Sequence, residues 1–151
     1  MKGKLKPVHG GWGRWGPYKG CSRPCGGGIK YATRECNNPK PSYNGDYCIG
    51  QRRKYKSCNT HACESDTVDF REQQCSAYNG FHLDIPDAPK KVSWVAKYSG
   101  LSTEDSCKLF CEIKGSGIFY QLKSKVIDGT KCRKGSDDIC VDGKCRVSTF
   151  L

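Results

Sequence analysis

The chain has 151 residues, 36% of them hydrophobic, and no stretch approaches the roughly 18–20 consecutive apolar residues of a membrane span. Its twelve cysteines, an even count at high density, indicate a disulfide scaffold made in an oxidising compartment and argue against a cytosolic enzyme. The formal charge of +11 belongs to one half: residues 1–63 hold 13 Lys and Arg against Glu35 and Asp46, whereas residues 64–151 hold 13 of each sign. Such asymmetry predicts a polyanionic partner for the first half alone.

Residues 1–9 read as a flexible, lysine-rich lead-in. The basic start has no apolar stretch behind it of the kind a secretory leader needs, so the chain is expected to be a piece of a longer secreted protein. The first module runs over 10–63. Trp12, Trp15 and Tyr18 recur every three residues, which suits neither a helix face nor a flat strand. It suits a rippled strand whose large rings stack in a row, and these three rings stand in for much of the core that so small a module lacks. Lys30 and Arg34, from the next strand, can slot between the rings as cation–π partners, so Trp12, Trp15, Tyr18 and Arg34 are predicted to form a stacking ladder.

Residues 29–36 alternate as a strand, with Ile29, Tyr31 and Thr33 on one face and Lys30, Ala32 and Arg34 on the other. Residues 37–45 are dense in turn formers, so the chain reverses there and Cys36 and Cys48 become natural partners. Residues 51–58 read as a third strand, with Arg52, Lys54 and Lys56 facing one way and Arg53, Tyr55 and Ser57 the other.

An acidic joint, 64–69, leads into a second module over 70–147, followed by a tail at 148–151. Residues 76–101 carry no clear period, and Asn79-Gly80, Pro86 and Pro89 break them. Ser102, Thr103, Glu104 and Asp105 carry capping and N-terminal acid signals, which predict a helix with Cys107, Phe110, Cys111 and Lys114 on one face. Two cysteines four apart on a helix would each pin it to a different segment. Residues 118–122 and 125–127 read as short strands, and Asp142-Gly143 between Cys140 and Cys145 reads as a tiny hairpin.

W-x-x-W-x-x-Y, then C-S-x-x-C-G-G-G, an arginine two before the third cysteine and three further cysteines together resemble a thrombospondin type 1 repeat. F-R-E-Q-Q-C at 70–75, C-x-x-x-C at 107–111, V-I-D-G-T-K-C and D-I-C-V-D-G-K-C then resemble the cysteine-rich domain of the ADAMTS proteins, secreted metalloproteases with thrombospondin motifs, and of their non-catalytic relatives. The resemblance covers about residues 8–147. It implies a small disulfide-rich, mostly β and irregular fold: an elongated three-stranded thrombospondin type 1 repeat followed by an α+β cysteine-rich domain with one short helix. It implies the pairs Cys21–Cys58, Cys25–Cys63, Cys36–Cys48, Cys75–Cys111, Cys107–Cys140 and Cys132–Cys145. Two departures stand out: Tyr18 replaces a tryptophan, and Ala32 replaces a second arginine, so one ladder layer is expected to be thinner. Trp12 resembles the family's C-mannosylation site, while Pro24 occupies the position its O-fucose site requires.

No catalytic constellation is present. His9, His61 and His82 are scattered, so there is no H-E-x-x-H, and no cysteine pair has the close spacing of a zinc site. No cofactor is expected in this chain; zinc belongs to a protease domain that it lacks. Lys30, Arg34, Arg52, Lys54 and Lys56 instead form a stripe suited to the sulfates of a glycosaminoglycan such as heparan sulfate, through Coulomb attraction and counterion release. Nucleic acid is not expected as a partner of a secreted disulfide module. By resemblance, Phe81, Leu83, Ile85, Trp94 and Tyr98 are candidates for an exosite that grips matrix proteins, with a small core as the competing role for Trp94 and Phe81. The function predicted is a non-catalytic, matrix-binding and substrate-docking segment of a secreted ADAMTS-type metalloendopeptidase; a protease-free matrix relative or a heparin-binding signalling module are the alternatives.

Overall fold

In the computed structural model, the described residues are 5–81, 83 and 91–147. The first module is an antiparallel ribbon of β1 (Gly28–Thr33) and β2 (Arg53–Cys58), in register from Gly28 opposite Cys58 to Thr33 opposite Arg53. The tryptophan-bearing segment lies against the other edge of β1. The N–H groups of Gly13, Gly16 and Lys19 donate to the carbonyls of Glu35, Thr33 and Tyr31. Donors three apart thus meet acceptors two apart, so the outer run holds one extra residue per repeat and ripples. That ripple is what lets a period of three place Trp12, Trp15 and Tyr18 on one side.

This module has almost no interior. Its buried apolar residues are Ile29, Ala32 and Cys36. The disulfides Cys21–Cys58 and Cys25–Cys63 tie one end, and Cys36–Cys48 closes the other. Close backbone contact at the second end has no room for side chains: a Cβ on Gly11 would lie 2.2 Å from the Asn38 carbonyl oxygen.

The second module opens with α1 (Phe70–Ser76), whose N-cap Asp69 accepts from the Glu72 N–H. Arg71, Gln74 and Cys75, at helical spacing, face inward. A three-stranded antiparallel sheet follows in the order β3 (Trp94–Ala96), β4 (Leu109–Ile113), β5 (Phe119–Lys123). A hairpin of β6 (Ile139–Val141) and β7 (Lys144–Arg146) closes the module, with Cys140 opposite Cys145 and a turn in which Asp142 and Gly143 both have positive φ. That is the geometry Asp-Gly favours in a two-residue hairpin. The core gathers Cys75, Trp94, Cys107, Leu109, Cys111, Val126, Cys132 and Cys140. It is crossed by Cys75–Cys111, Cys107–Cys140 and Cys132–Cys145.

The secondary structure differs from the sequence expectation in three places. Residues 102–114 are not a helix. Ser102 does cap, accepting from the Asp105 N–H, but the capped turn is a single 3-10 turn, Thr103–Asp105, and β4 starts at Leu109. Cys107, Leu109 and Cys111 are each at most 1% exposed, so the period that governs is two. Among the described residues the one α-helix lies instead at the module's start. Residues 125–127 are not a strand: Val126 is buried, its N–H donates to the Cys107 carbonyl, and the Gln74 side chain binds the Ile127 N–H and the Thr130 hydroxyl.

The modules dock through the ribbon face opposite the tryptophans. Ile29 and Tyr55 pack against Ile139 and Val141. Beside them the Ser22 hydroxyl donates to the Asp128 carbonyl at 2.6 Å and accepts from the Ile29 N–H. Gly129 sits where a Cβ would come within 3.1 Å of Gly27 O and Gly28 Cα. The Arg23 guanidinium lies 4.5 Å from the Phe70 ring centre, spanning the joint.

Candidate functional site

Antiparallel pairing decides which cations share the tryptophan face. Residues directly opposite one another lie on the same side of a ribbon. Lys30 is opposite Lys56 and Ala32 opposite Lys54, and the Arg34 N–H donates to the Arg52 carbonyl one step further on. The ladder then builds itself. The Arg34 guanidinium carbon lies 4.3 Å from the Trp12 ring and 4.4 Å from the Trp15 ring. Lys54 Nζ lies 4.7 Å from Trp15 and 5.5 Å from Tyr18, and Lys30 Nζ sits 5.3 Å from Tyr18. The order is Trp12, Arg34, Trp15, Lys54, Tyr18, Lys30.

The layer expected to be thin is filled. Ala32 is fully buried and leaves a gap, and its cross-strand partner Lys54 enters that gap from β2. Each cation–π contact is worth about 0.5–1 kcal/mol at an exposed site and more where the pair is desolvated. Hydrogen bonds lock the first rung: Trp12 Nε1 donates to Ile49 O at 2.7 Å, and Arg34 Nε to Gln51 O at 2.8 Å. Tyr47 packs edge-on against Trp12.

Of the five stripe cations, Arg34 and Lys54 are half-buried between rings, Lys30 is half-buried against Tyr18 at the end of the ladder, and Lys56 is exposed opposite Lys30. Arg52 differs. Its guanidinium is 2.7 Å from the Glu35 carboxylate, which hydrogen-bonds it and holds it still more firmly charged. Facing ammonium groups such as Lys30 and Lys56 repel, so the pair gains when an anion bridges it. Sequence reasoning missed that Arg53 and Lys19 both sit on Tyr31, at 4.4 and 5.3 Å, on the reverse face. The alternation of 51–58 placed Arg53 on that face, but no local signal tied it to Tyr31.

The exosite candidates separate. Trp94 is 2% exposed and belongs to the core, edge-on to Tyr120, so it is not a surface contact. Phe81 is 63% exposed, which removes it from the core, and Leu83 is half-buried against the core cluster. Ile85 lies outside the described residues. The Tyr98 hydroxyl donates to Asp69, and burial followed by that bond pushes its pKa well up. Beneath it Arg71 is 1% exposed and donates to the carbonyls of Ser106, Lys108 and Lys131. Burial pulls this guanidinium's pKa down.

One group of sulfurs has metal-like proximity: Cys107, Cys132 and Cys145. All three are in disulfides, with Cys132 Sγ 3.9 Å from Cys107 Sγ across two stacked bridges, so they offer no thiolate. Among the described residues no helix is long and apolar enough to cross a membrane.

Comparison with known proteins follows this architecture. Residues 13–63 match the thrombospondin type 1 domain model. The chain is 54% identical over 142 residues to A disintegrin and metalloproteinase with thrombospondin motifs 20 of Homo sapiens, an alignment spanning 94% of this chain and 7% of that protein. The Mus musculus protein of the same name is 52% identical over 143 residues, with 95% and 8% covered. A disintegrin and metalloproteinase with thrombospondin motifs 15 of Mus musculus is 49% identical over 140 residues, with 91% and 15% covered. The chain thus spans between 7% and 15% of the length of these relatives. Residues 13–63 are a thrombospondin type 1 domain, and the chain is homologous over most of its length to this non-catalytic, thrombospondin-repeat region of the ADAMTS proteins.

Proposed function

We propose that the chain is a matrix-binding and substrate-docking segment of a secreted ADAMTS-type metalloendopeptidase, and that its ladder face holds sulfated glycosaminoglycan. The observation that carries the reading is the set of cations on one face: Arg34 and Lys54 are held between rings and Lys30 against Tyr18, with Lys56 opposite Lys30. Fixed cations meet a linear polyanion with less loss of side-chain freedom than mobile ones. Arg52 contributes less because it must first leave Glu35. Exposed Phe81, with Leu83 and Tyr98, is the proposed docking edge for a matrix protein. Trp12 is the proposed C-mannosylation acceptor, its indole N–H already held by Ile49. Peptide bond cleavage, and the zinc it requires, belong in this reading to another part of the parent protein.

Heparin chromatography of the whole chain tests it. Lys54→Met with Lys56→Met keeps side-chain bulk and removes two charges, and should elute at clearly lower salt with an unchanged thermal midpoint to within a few degrees. Elution at the wild-type position would refute the ladder face as the binding surface.

A further inference from the structure

The reverse face of the ribbon carries positive charge that the ladder does not use. In the β6–β7 hairpin, Ile139 is opposite Arg146 and Val141 opposite Lys144, so these four side chains share one face. Ile139 and Val141 are buried against Ile29 and Tyr55. The contact that buries them therefore delivers Lys144 and Arg146 to the flank of β2. There Arg52, Arg53 and Tyr55 from the first module and Asp142, Lys144 and Arg146 from the second line one open groove of about 390 Å³.

The charge in this groove is unbalanced. Its acid, Asp142, is taken by Lys125 Nζ at 2.7 Å; that hydrogen bond, with Arg53 and Lys144 adding attraction, holds its carboxyl below the usual range. Arg53, Lys144 and Arg146 are exposed and have no ion-pair partner among the described residues. Gathering unpaired cations by burying apolar neighbours costs repulsion that a bound anion relieves. Arginine forks favour a sulfate, whose oxygens accept bidentate hydrogen bonds.

We propose that this junction groove is a second sulfate-binding subsite, filled by the same acidic polysaccharide that lies on the ladder and so straddling both modules. The proposal rests on the polyanion reading of the ladder. Continuity favours a long repeating polyanion over a short acidic peptide. Arg52 lines the groove, and its carbonyl accepts from Arg34, the ladder's first cationic rung, so one positive track turns the edge of β2.

The test compares two double variants of the whole chain, Lys144→Gln with Arg146→Gln and Lys54→Met with Lys56→Met, titrated with heparin oligosaccharide at several salt concentrations. Losing two contacts should shrink the slope of log affinity against log salt by about 1.5 for each pair, independently. If the groove variant binds like wild type while the ladder variant is weakened, the subsite is wrong and the ladder stands. If neither is weakened, the ladder reading fails as well. Lysine acetylation of the wild-type chain gives a readout free of folding effects: heparin hexasaccharide should protect Lys144 severalfold. An unprotected Lys144 overturns the proposal, as does equal protection by polyglutamate of matched charge, which would make the groove a peptide site.

Discussion

The two modules hold together in opposite ways, and the first is the poorer in apolar residues. The second keeps a conventional interior, small but closed, with Trp94 and Leu109 packed among buried disulfides. The first turns its largest side chains outward and stacks them with cations, leaving little more than Ile29 and Ala32 inside. A core stabilises by removing surface from water and so cannot also recognise anything. A ladder stabilises while its charges stay reachable. On the proposed polyanion reading, the net charge lies in residues 1–63 because Arg34, Lys54 and Lys30 are structural rungs and binding groups at once.

The comparison breaks most visibly at Trp94. Trp94→Ala should cost about 3–5 kcal/mol, the range for removing a buried aromatic side chain. Hydrogen exchange should show protection lost across β3, β4 and β5 and largely kept in β1 and β2. Collapse of protection in both modules at once would mean that docking through Ile139 and Val141 makes them one cooperative unit. A smaller effect separates the rungs. Arg34→Ala removes two ring contacts and the bond to Gln51, and should cost about 1–3 kcal/mol in chemical denaturation. Lys54→Ala should cost less, about 0.5–1 kcal/mol. Equal losses would show that Lys54 carries as much of the ladder as Arg34.

How far these features were legible in the sequence depends on whether their cause is local. The alternation of 29–36 and 51–58 gave both ribbon strands, and Asp142-Gly143 between two cysteines gave the hairpin. The helix at Phe70–Ser76 is also written locally, in Asp69 as cap, Glu72 in the first turn and the spacing of Arg71, Gln74 and Cys75. At 107–113 the spacing of four between the cysteines fits a helix, but Cys107, Leu109, Cys111 and Ile113 also alternate with Lys108, Phe110 and Glu112, and that period of two is the one the fold obeys. Non-local facts were out of reach. Lys54 fills the layer that Ala32 leaves only because register sets the two opposite each other. Arg71 is buried because three carbonyls from distant segments converge on it. Disulfide partners came from family resemblance; spacing alone suggested only Cys36 with Cys48.

The smallest expected effect concerns the junction groove's own acid. The depressed Asp142 carboxyl contributes stability above its unfolded pKa and loses it as pH falls through the folded value. With both side chains of the Lys125–Asp142 pair more than half exposed, screening keeps the contribution below about 0.5 kcal/mol. Asp142→Asn should therefore be slightly less stable than wild type at neutral pH, and the difference should shrink as pH falls and vanish below the depressed folded pKa of Asp142. A difference that persists in acid would assign the loss to the conformation of the turn and not to charge.

The most direct test of the central claim, that one set of side chains both builds the first module and binds its partner, is residue-resolved NMR of the whole chain titrated with heparin hexasaccharide. The account predicts that the side-chain signals of Lys30, Arg34, Lys54 and Lys56 shift together with the indole N–H signals of Trp12 and Trp15, while the indole of Trp94 stays in place. Shifts confined to exposed lysines of the second module, with the ladder signals unmoved, would contradict it.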